Sequence, residues 1–182
     1  MDLLSQLMEH CSIRTGVFYS GHLCGVSSFN ANPQNSGHLH VLQSGELTLD
    51  KTHSESRHIV EPSILYLPHG TTHAIEGVES GAELVCANVE YRVGQMNPLL
   101  SALPEVIVIP FSAAPSLTPI IDALFCESGG DLAGQQFLMD KLSDALMALI
   151  FRYLVEETTI EQGLFAALAH PRLGAVASVV HQ

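Results

Sequence analysis

The chain has 182 residues, 47% of them hydrophobic and 14% charged, and its formal net charge is −12 at pH 7. This composition excludes a disordered chain, and the negative charge makes the chain a poor binder of nucleic-acid phosphates by itself. Because no apolar run approaches the roughly 20 residues of a membrane helix, and because the N-terminus lacks the basic start of a signal peptide, we expect a cytoplasmic protein without membrane contact.

A short helix followed by a β-barrel is predicted for residues 1–112. Leu3, Leu4, Leu7 and Met8 recur at helical spacing within residues 1–10, which indicates an amphipathic helix. After it, short segments rich in β-branched and aromatic residues alternate with Gly and Pro turns, a pattern typical of a small barrel or jelly roll. Strands are predicted at residues 16–29 (one or two strands, with Gly25 as a bulge), 38–43, 46–50, 57–60, 64–67, 72–76, 82–92 and 106–109.

Residues 113–182 are predicted to be a helical layer. The apolar residues there recur at helical rather than strand spacing, and Gly129-Gly130 ends the first helix. The apolar stripes of residues 116–156 are wider than one helix–barrel contact requires, so we expect a homodimer formed through these helices. Helices are predicted at residues 97–103 (a single turn), 116–125, 131–156, 159–169 and from Pro171 onward.

Histidines mark two of the predicted strands. His38 and His40 share one strand face with Leu42, because side chains alternate along a strand with period two. The segment Pro68-His69-Gly70-Thr71-Thr72-His73 predicts a sharp turn that places His73 at the start of the next strand. Two such strands joined by a hairpin connection can bring imidazoles together at a metal or ligand site.

These segments resemble a known family. The Pro-x-Gly-x-x-His segment that ends at His73 resembles the second cupin motif, and residues 40–46 resemble the strand-turn core of the first cupin motif. Three further stretches together are similar to the cupin-type sensor domain of AraC-family transcription regulators. They are residues 1–5, Leu84-Val85-Cys86 followed by residues 97–104, and the His-Pro-Arg-Leu-Gly segment at 170–174.

The resemblance implies a mainly β chain with C-terminal α-helices, organised as a cupin-like double-stranded β-barrel (jelly roll) followed by a helical layer. It also implies an effector-sensing and dimerisation domain that responds to a small molecule, a metal or an oxidant. DNA contact would then come only through a separate helix-turn-helix domain, which is expected beyond this chain. The alternative is a stand-alone metal-dependent cupin enzyme of the dioxygenase or isomerase type. Because nucleophile, paired-carboxylate and phosphate-loop signatures are missing from the sequence, we favour a non-enzyme.

A metal site is one hypothesis for the histidines. Three imidazoles suit Zn, Fe, Ni or Cu, and we expect His40 and His73 to be ligands, with His38 or Cys86 as the third and Zn as the first choice of ion. The pattern departs from metal-binding cupins, which usually carry His-x-His followed by Glu, since no Glu follows His40 before Gly45. The alternative is that His40 and His73 are buried, hydrogen-bonded histidines without metal.

Two of the four cysteines, Cys24 and Cys86, fall on predicted strands, and the family resemblance places a cysteine at position 86. One hypothesis is a redox pair whose Cα atoms lie within about 7 Å or are brought there by a modest strand movement, so that an oxidant would join the two thiols or free a bound metal. The alternatives are that either thiol ligates a metal or that both are inert buried hydrophobic residues. Cys11 and Cys126 are expected to be structural.

Overall fold

The computed structural model describes residues 2–30, 36–51, 56–91, 100 and 103–157. It contains three α-helices and six strands in these ranges, and two short 3₁₀ turns connect the last strand to the second helix. In chain order the elements are α1 Leu3–Cys11, β1 Arg14–Phe29, β2 Ser36–Lys51, β3 Arg57–Ile59, β4 Ser63–Leu67, β5 His73–Glu90, β6 Ile107–Pro110, the 3₁₀ turns Phe111–Ala113 and Pro115–Leu117, α2 Thr118–Ser128 and α3 Gln135–Glu156.

The order of these elements agrees with the sequence analysis, but some of their lengths differ. The strands predicted at 38–43 and 46–50 are one strand, β2, and those predicted at 72–76 and 82–92 are one strand, β5. The long helix begins at Gln135 and not at residue 131, because Gly134 has φ +84°, a left-handed conformation that ends a helix. The helices predicted at 159–169 and after Pro171, and most of the turn at 97–103, lie outside the described residues.

The strands pair in the order β1-β5-β2-β4-β6, with β3 alongside β2, and every pairing is antiparallel. The three long strands carry irregularities in their pairing that let them bend without ending. The predicted bulge at Gly25 is confirmed by the register shift between Leu23 and Gly25. At Gly45 (φ +87°) an added Cβ would lie 2.3 Å from the Gly81 carbonyl oxygen, so only glycine allows β2 and β5 to approach here.

Bending closes the strands around an interior. His40 is the sheet partner of Cys86 on β5, yet its ring also hydrogen-bonds His73, which lies 13 residues earlier on the same β5 strand. The start of β5 and its second half therefore approach each other inside the barrel. The predicted cupin-like double-stranded β-barrel with a helical layer is confirmed. The domain boundary predicted after residue 112 falls within the Phe111–Ala113 turn and stays a prediction.

The two faces of the strands belong to two separate cores. Leu42, Leu65, Leu67 and Cys86 are among the residues that fill the barrel interior. Leu39 and Val41 point to the other face, where α2 and α3 cover them in a second cluster that includes Tyr66 and Phe151. The predicted alternation along residues 38–42 is therefore confirmed, and it places His38 and His40 inside the barrel.

Helix α3 also covers the open edge of β1. The backbone N–H of Thr15 donates to Asp144 Oδ1 (2.7 Å), and the backbone N–H of Val17 donates to Asp140 Oδ1 (2.8 Å). Gln136 Nε2 donates to the Val17 carbonyl (2.8 Å). These three side chains are spaced by four residues on one helix face, so they act as a hydrogen-bonding partner for an edge strand that would otherwise be bare. Among the helices of the described ranges, none is both long and apolar enough to cross a membrane.

Candidate functional site: a buried thiol–imidazole cluster

The three predicted histidines converge inside the barrel. His40 is fully buried, His73 is 2% exposed and His38 is 7% exposed. Their rings lie 5.0 Å (His38–His73), 5.1 Å (His40–His73) and 6.2 Å (His38–His40) apart, measured between centroids. The β2 strand supplies two rings from one face, and the Pro68–Gly70 turn delivers the third at the start of β5. The predicted grouping of His38, His40 and His73 is thus the arrangement that the fold produces.

Hydrogen bonds link Cys86, His40 and His73 in a chain. Cys86 Sγ lies 3.1 Å from His40 Nδ1, His40 Nε2 lies 2.9 Å from His73 Nε2, and His73 Nδ1 lies 2.8 Å from the Thr71 carbonyl oxygen. A carbonyl only accepts, so neutral His73 must carry its proton on Nδ1 and accept at Nε2. His40 then donates from Nε2 and accepts at Nδ1, where the thiol of Cys86 donates. The Thr71 carbonyl therefore sets every proton position in the chain.

Burial keeps this cluster uncharged. It lowers the pKa of His40 well below the usual histidine value, and a positive charge on His73 or His38 would lower it further. Burial also lowers the pKa of His38 to about 4 and lowers that of His73, although the Thr71 hydrogen bond partly opposes the shift for His73. The pKa of the Cys86 thiol is raised by burial. At neutral pH the cluster is one thiol and three neutral imidazoles.

One polar atom of the cluster lacks a partner. His38 Nδ1 is buried and makes no hydrogen bond in the described part of the chain. A buried donor or acceptor without a partner is unfavourable by about 1–3 kcal/mol, and native proteins carry few of them. The lone pair or proton of this nitrogen is therefore available to an ion or a polar ligand that enters the barrel.

Phe29, at the end of β1, packs against all three imidazoles. Its ring stacks on His73 (4.9 Å, 14° between planes) and tilts against His40 (4.9 Å) and His38 (5.6 Å). From the sequence, Phe29 is predicted only as a strand residue, and Thr71 is not predicted as the group that orients His73. Nothing local marks Phe29 as a site residue, because its contacts come from a register in which Phe29 pairs with His73.

The residues fit a metal ion after a small adjustment. Among the described residues no group of three His, Cys, Asp or Glu side chains already has metal-binding spacing. The two Nε2 atoms are 2.9 Å apart, whereas nitrogens bound at about 2.0–2.1 Å to a tetrahedral ion lie about 3.3 Å apart. A shift of a few tenths of an ångström, with the His40 proton moved to Nδ1, would present both lone pairs to an ion. The Thr71 carbonyl already holds His73 in the tautomer that ligation needs.

The predicted separation of about 7 Å between the Cα atoms of Cys24 and Cys86 is wrong. All four cysteines are free, Cys86 is buried and Cys24 is exposed. The partner of Cys86 on β1 is Tyr19, and Leu23 pairs with Ala82, so Cys24 lies four to five residues further along the sheet. That distance is roughly 13–16 Å of extended chain, far beyond the roughly 7 Å that a disulfide spans. Both cysteines do lie on strands, as predicted, but strand identity alone does not give register.

Two other histidines lie near turns and away from the cluster. His58 is exposed and pairs with Glu46 (Nε2 to Oε2, 3.2 Å). His69 is exposed and donates from Nε2 to the Leu103 carbonyl (3.0 Å). Both side chains are solvent-exposed and take no part in the cluster, whereas His53 lies outside the described residues.

Comparison with known proteins agrees with this architecture. A family model described as Cupin matches residues 2–156. An uncharacterized HTH-type transcriptional regulator from Haemophilus influenzae is 24% identical over 203 residues, which cover 95% of this chain and 66% of the relative.

Two solved structures are similar to parts of this chain. ToxT from Vibrio cholerae is 11% identical, with a TM-score of 0.47 over 84% of this chain and 59% of that one. A cupin superfamily protein from Desulfitobacterium hafniense is 13% identical, with a TM-score of 0.30 over 44% of this chain and 78% of that one.

A mainly β barrel with inward-facing histidines, matched by the family model over most of its length, defines the class of this protein as a cupin. The chain belongs to the cupin family, and its similarity to the cupin-type sensor domain of AraC-type regulators is confirmed. The chain spans less than two thirds of the HTH-type relative and about three fifths of ToxT.

Proposed function

We propose that this chain is the effector-sensing domain of an AraC-type transcription regulator that works in the cytoplasm and contacts DNA through a separate helix-turn-helix domain. The observation that carries the proposal is the buried cluster of Cys86 and three neutral imidazoles with one unsatisfied nitrogen, His38 Nδ1. Such a cluster adds little to the stability of the fold, because an apolar interior of the same shape would leave no buried polar atom without a hydrogen-bond partner. Its placement inside a barrel covered by helices suits a site that reports occupancy to an attached domain.

The proposed effector at this cluster is a divalent transition metal, with Zn as the first choice. His40 and His73 would bind through Nε2, and His38 would complete the site. Cys86 would not bind the same ion, because its Sγ lies at Nδ1, on the other side of the His40 ring. The ion would supply positive charge in a place where burial excludes protonated histidine, so it would satisfy the lone pairs that protons cannot. This proposal favours a sensor over an enzyme, because the described cluster contains no carboxylate to serve as general base.

Metal content tests the site directly. Protein purified without chelators and then equilibrated with zinc chloride should hold about one ion per chain, measured by elemental analysis. The double variant His40→Ala with His73→Ala should lose it, because each imidazole supplies one strong bond. His58→Ala is the matched control, since His58 is exposed and lies outside the cluster.

Full zinc content in the double variant would show that the ion binds elsewhere. No zinc in the wild-type chain at micromolar concentrations would leave the cluster without a metal role. Turnover of a dioxygenase or isomerase substrate by the zinc-loaded or iron-loaded chain would favour the enzyme over the sensor.

A further inference from the structure

A cavity of about 260 Å³ lies beside the cluster and is lined by side chains of the paired strands β1 and β5. Its floor consists of the buried side chains of Leu23, Ile75, Leu84 and Cys86. The same four residues belong to the core that fills the barrel, so the cavity is an extension of the barrel interior toward the surface. It lies apart from the second core, which the helices cover.

Aromatic rings form the walls of this cavity. Phe18 and Tyr19 both line it, although neighbouring residues of a regular strand point to opposite sides. The register shift between Val17 and Tyr19 explains this, because a bulge turns two consecutive side chains toward one side. Phe29 is the third aromatic wall, and its ring contacts Phe18 at 5.8 Å between centroids. Flat aromatic surfaces on several sides favour a planar occupant.

The polar groups of the cavity are hydroxyls. Ser27 and Ser28 lie at the rim, and Tyr19 contributes its phenol. Burial raises the pKa of Tyr19, and the neighbouring Cys86 and Glu83 raise it further, so this phenol stays protonated. Hydroxyls donate and accept hydrogen bonds, and they can therefore orient a neutral polar group without requiring a charge.

Charge decides which ligands can enter. None of the described residues that line the cavity is ionised at neutral pH, and the chain carries only 7 Lys and Arg against 19 Asp and Glu. A carboxylate or phosphate that entered would lose its hydration without gaining a cationic partner, which is strongly unfavourable. The cavity therefore selects against anions.

The volume sets the size of the occupant. A dry protein cavity of about 150 Å³ lined by Leu, Ile and Phe accommodates benzene. The cavity here is larger by more than half, which corresponds to a fused two-ring molecule with a small polar substituent. We propose that this cavity binds an uncharged, planar, bicyclic aromatic molecule, stacked among Phe18, Tyr19 and Phe29 and hydrogen-bonded through the serine hydroxyls at its rim.

The occupant would lie next to the cluster without being part of it. Phe29 lines the cavity and also stacks on His73, and Cys86 is both cavity floor and the first donor of the hydrogen-bonded chain. This inference deepens the proposed sensor role by naming a class of organic effector, and it rests on that role only for the biological consequence. Binding itself does not depend on a metal.

Direct binding of matched probes tests the inference. Naphthol, naphthoate and naphthylmethylammonium share one ring system and differ in charge, and each can be titrated into the full chain by calorimetry. Naphthol should bind saturably and at least about tenfold more tightly than either ion, a difference of about 1.4 kcal/mol. Equal or tighter binding of naphthoate or of the ammonium, or no saturable binding of naphthol at millimolar concentration, would overturn the proposal.

Two substitutions place the binding in the cavity. Ser28 is exposed at the rim, so Ser28→Phe should block entry and weaken naphthol binding by about tenfold or more while the core stays intact. Ser20→Phe is the matched control, because Ser20 is exposed on the same strand and does not line the cavity. If Ser28→Phe fails to fold by circular dichroism, Phe18→Ala, which removes one wall, should weaken binding by a similar factor. Unchanged affinity in a folded variant of either kind would contradict the assignment.

The metal proposal and this one fail separately. Zinc content measured on Ser28→Phe should equal that of the wild type, and naphthol should bind the zinc-free chain. A wild-type chain that holds zinc but does not bind naphthol would contradict only the cavity proposal. A wild-type chain that binds naphthol but holds no zinc would contradict only the metal proposal.

Discussion

The proton arrangement of the cluster depends on a single backbone atom, the Thr71 carbonyl. Because that oxygen only accepts, His73 is held as the Nδ1–H tautomer, and each later donor in the chain follows from it. A cluster fixed in this way is neutral, and His38 Nδ1 is its buried nitrogen without a hydrogen-bond partner among the described residues. Adding a proton to this cluster should therefore lower the stability of the folded chain.

Acid should destabilise the folded chain in a defined window. The pKa of His38 falls from about 6.5 unfolded to about 4 folded, and those of His40 and His73 are also lowered. Below pH 6.5 the unfolded state binds more protons, so the stability present above that pH is lost as the pH falls toward 4. We expect His38 alone to account for on the order of 1 kcal/mol between pH 7 and pH 5. Urea unfolding of the wild type and of His38→Gln between pH 7 and pH 5 measures this contribution to the free energy of unfolding.

The wild-type stability should fall more steeply than that of His38→Gln over this window. His58→Gln serves as the comparison, because His58 is exposed and paired with Glu46, and it should follow the wild-type curve. A His38→Gln curve that parallels the wild type would mean that His38 does not titrate in this range.

Thiol reactivity should follow exposure and not strand position. Cys24 and Cys126 are exposed, whereas Cys86 is 1% exposed and its pKa is raised by burial, which removes the reactive thiolate. We therefore expect brief labelling with iodoacetamide to modify Cys24 and Cys126 before Cys86, measured by mass spectrometry of digested protein. Labelling in denaturant, where all four thiols should react, is the control. Early modification of Cys86 in the folded chain would show that the barrel opens to its interior.

At the scale of single elements, side-chain-to-backbone hydrogen bonds join α3 to β1. Gln136, Asp140 and Asp144 replace the missing neighbour strand for Thr15 and Val17. The contact lies one residue before Phe18 and Tyr19, which line the cavity. A change in the shape of β1 at the bulge between Val17 and Tyr19 would therefore alter its hydrogen bonds to α3.

Removing the Asp144 carboxyl group should destabilise the chain by about 1–3 kcal/mol, because the backbone N–H of Thr15 would lose its acceptor, although the Thr15 hydroxyl could still donate to the Asp140 carbonyl. Asp144→Ala is the test, and Asp144→Asn, which keeps an acceptor oxygen, should cost less. The exposed pair of Asp144 with Lys141 contributes little, so Lys141→Ala should change stability by less than about 1 kcal/mol. Urea unfolding measures all three, and an Asp144→Ala effect no larger than that of Lys141→Ala would contradict the role.

The sequence predicted the elements and the inward histidines because both depend on local periodicity. Leu39, Val41, His38 and His40 alternate as a strand must, and the Pro68–Gly70 turn limits where His73 can lie. Register was not predictable in this way. Residues 43–46 (Gln-Ser-Gly-Glu) look like a hairpin turn, yet they form a bulge, since β5 continues alongside and the Gly45–Gly81 approach holds the two strands together. The same lack of register information produced the incorrect pairing of Cys24 with Cys86.

For the whole molecule, net charge disfavours the association of two copies, whereas exposed apolar surface favours it. The net charge of −12 disfavours any contact between two copies. Around the start of α3, however, Leu132, Phe137 and Leu138 are 68%, 66% and 46% exposed, which is unusual for large apolar residues close together in the chain. This patch lies within residues 116–156, the segment for which the sequence analysis expects dimer contacts.

We predict a homodimer through this helical surface at tens of micromolar, measured by multi-angle light scattering. Because salt screens exposed charges over about 10 Å at 0.1 M, the dimer should tighten as salt increases. Phe137→Glu should yield monomers, since it adds negative charge to the patch and removes its largest ring. Val60→Glu is the matched control, because Val60 is 63% exposed but lies on the barrel, and it should remain dimeric. A wild-type monomer at these concentrations, or a Phe137→Glu dimer as tight as the Val60→Glu one, would show that these helices do not pair with a second copy.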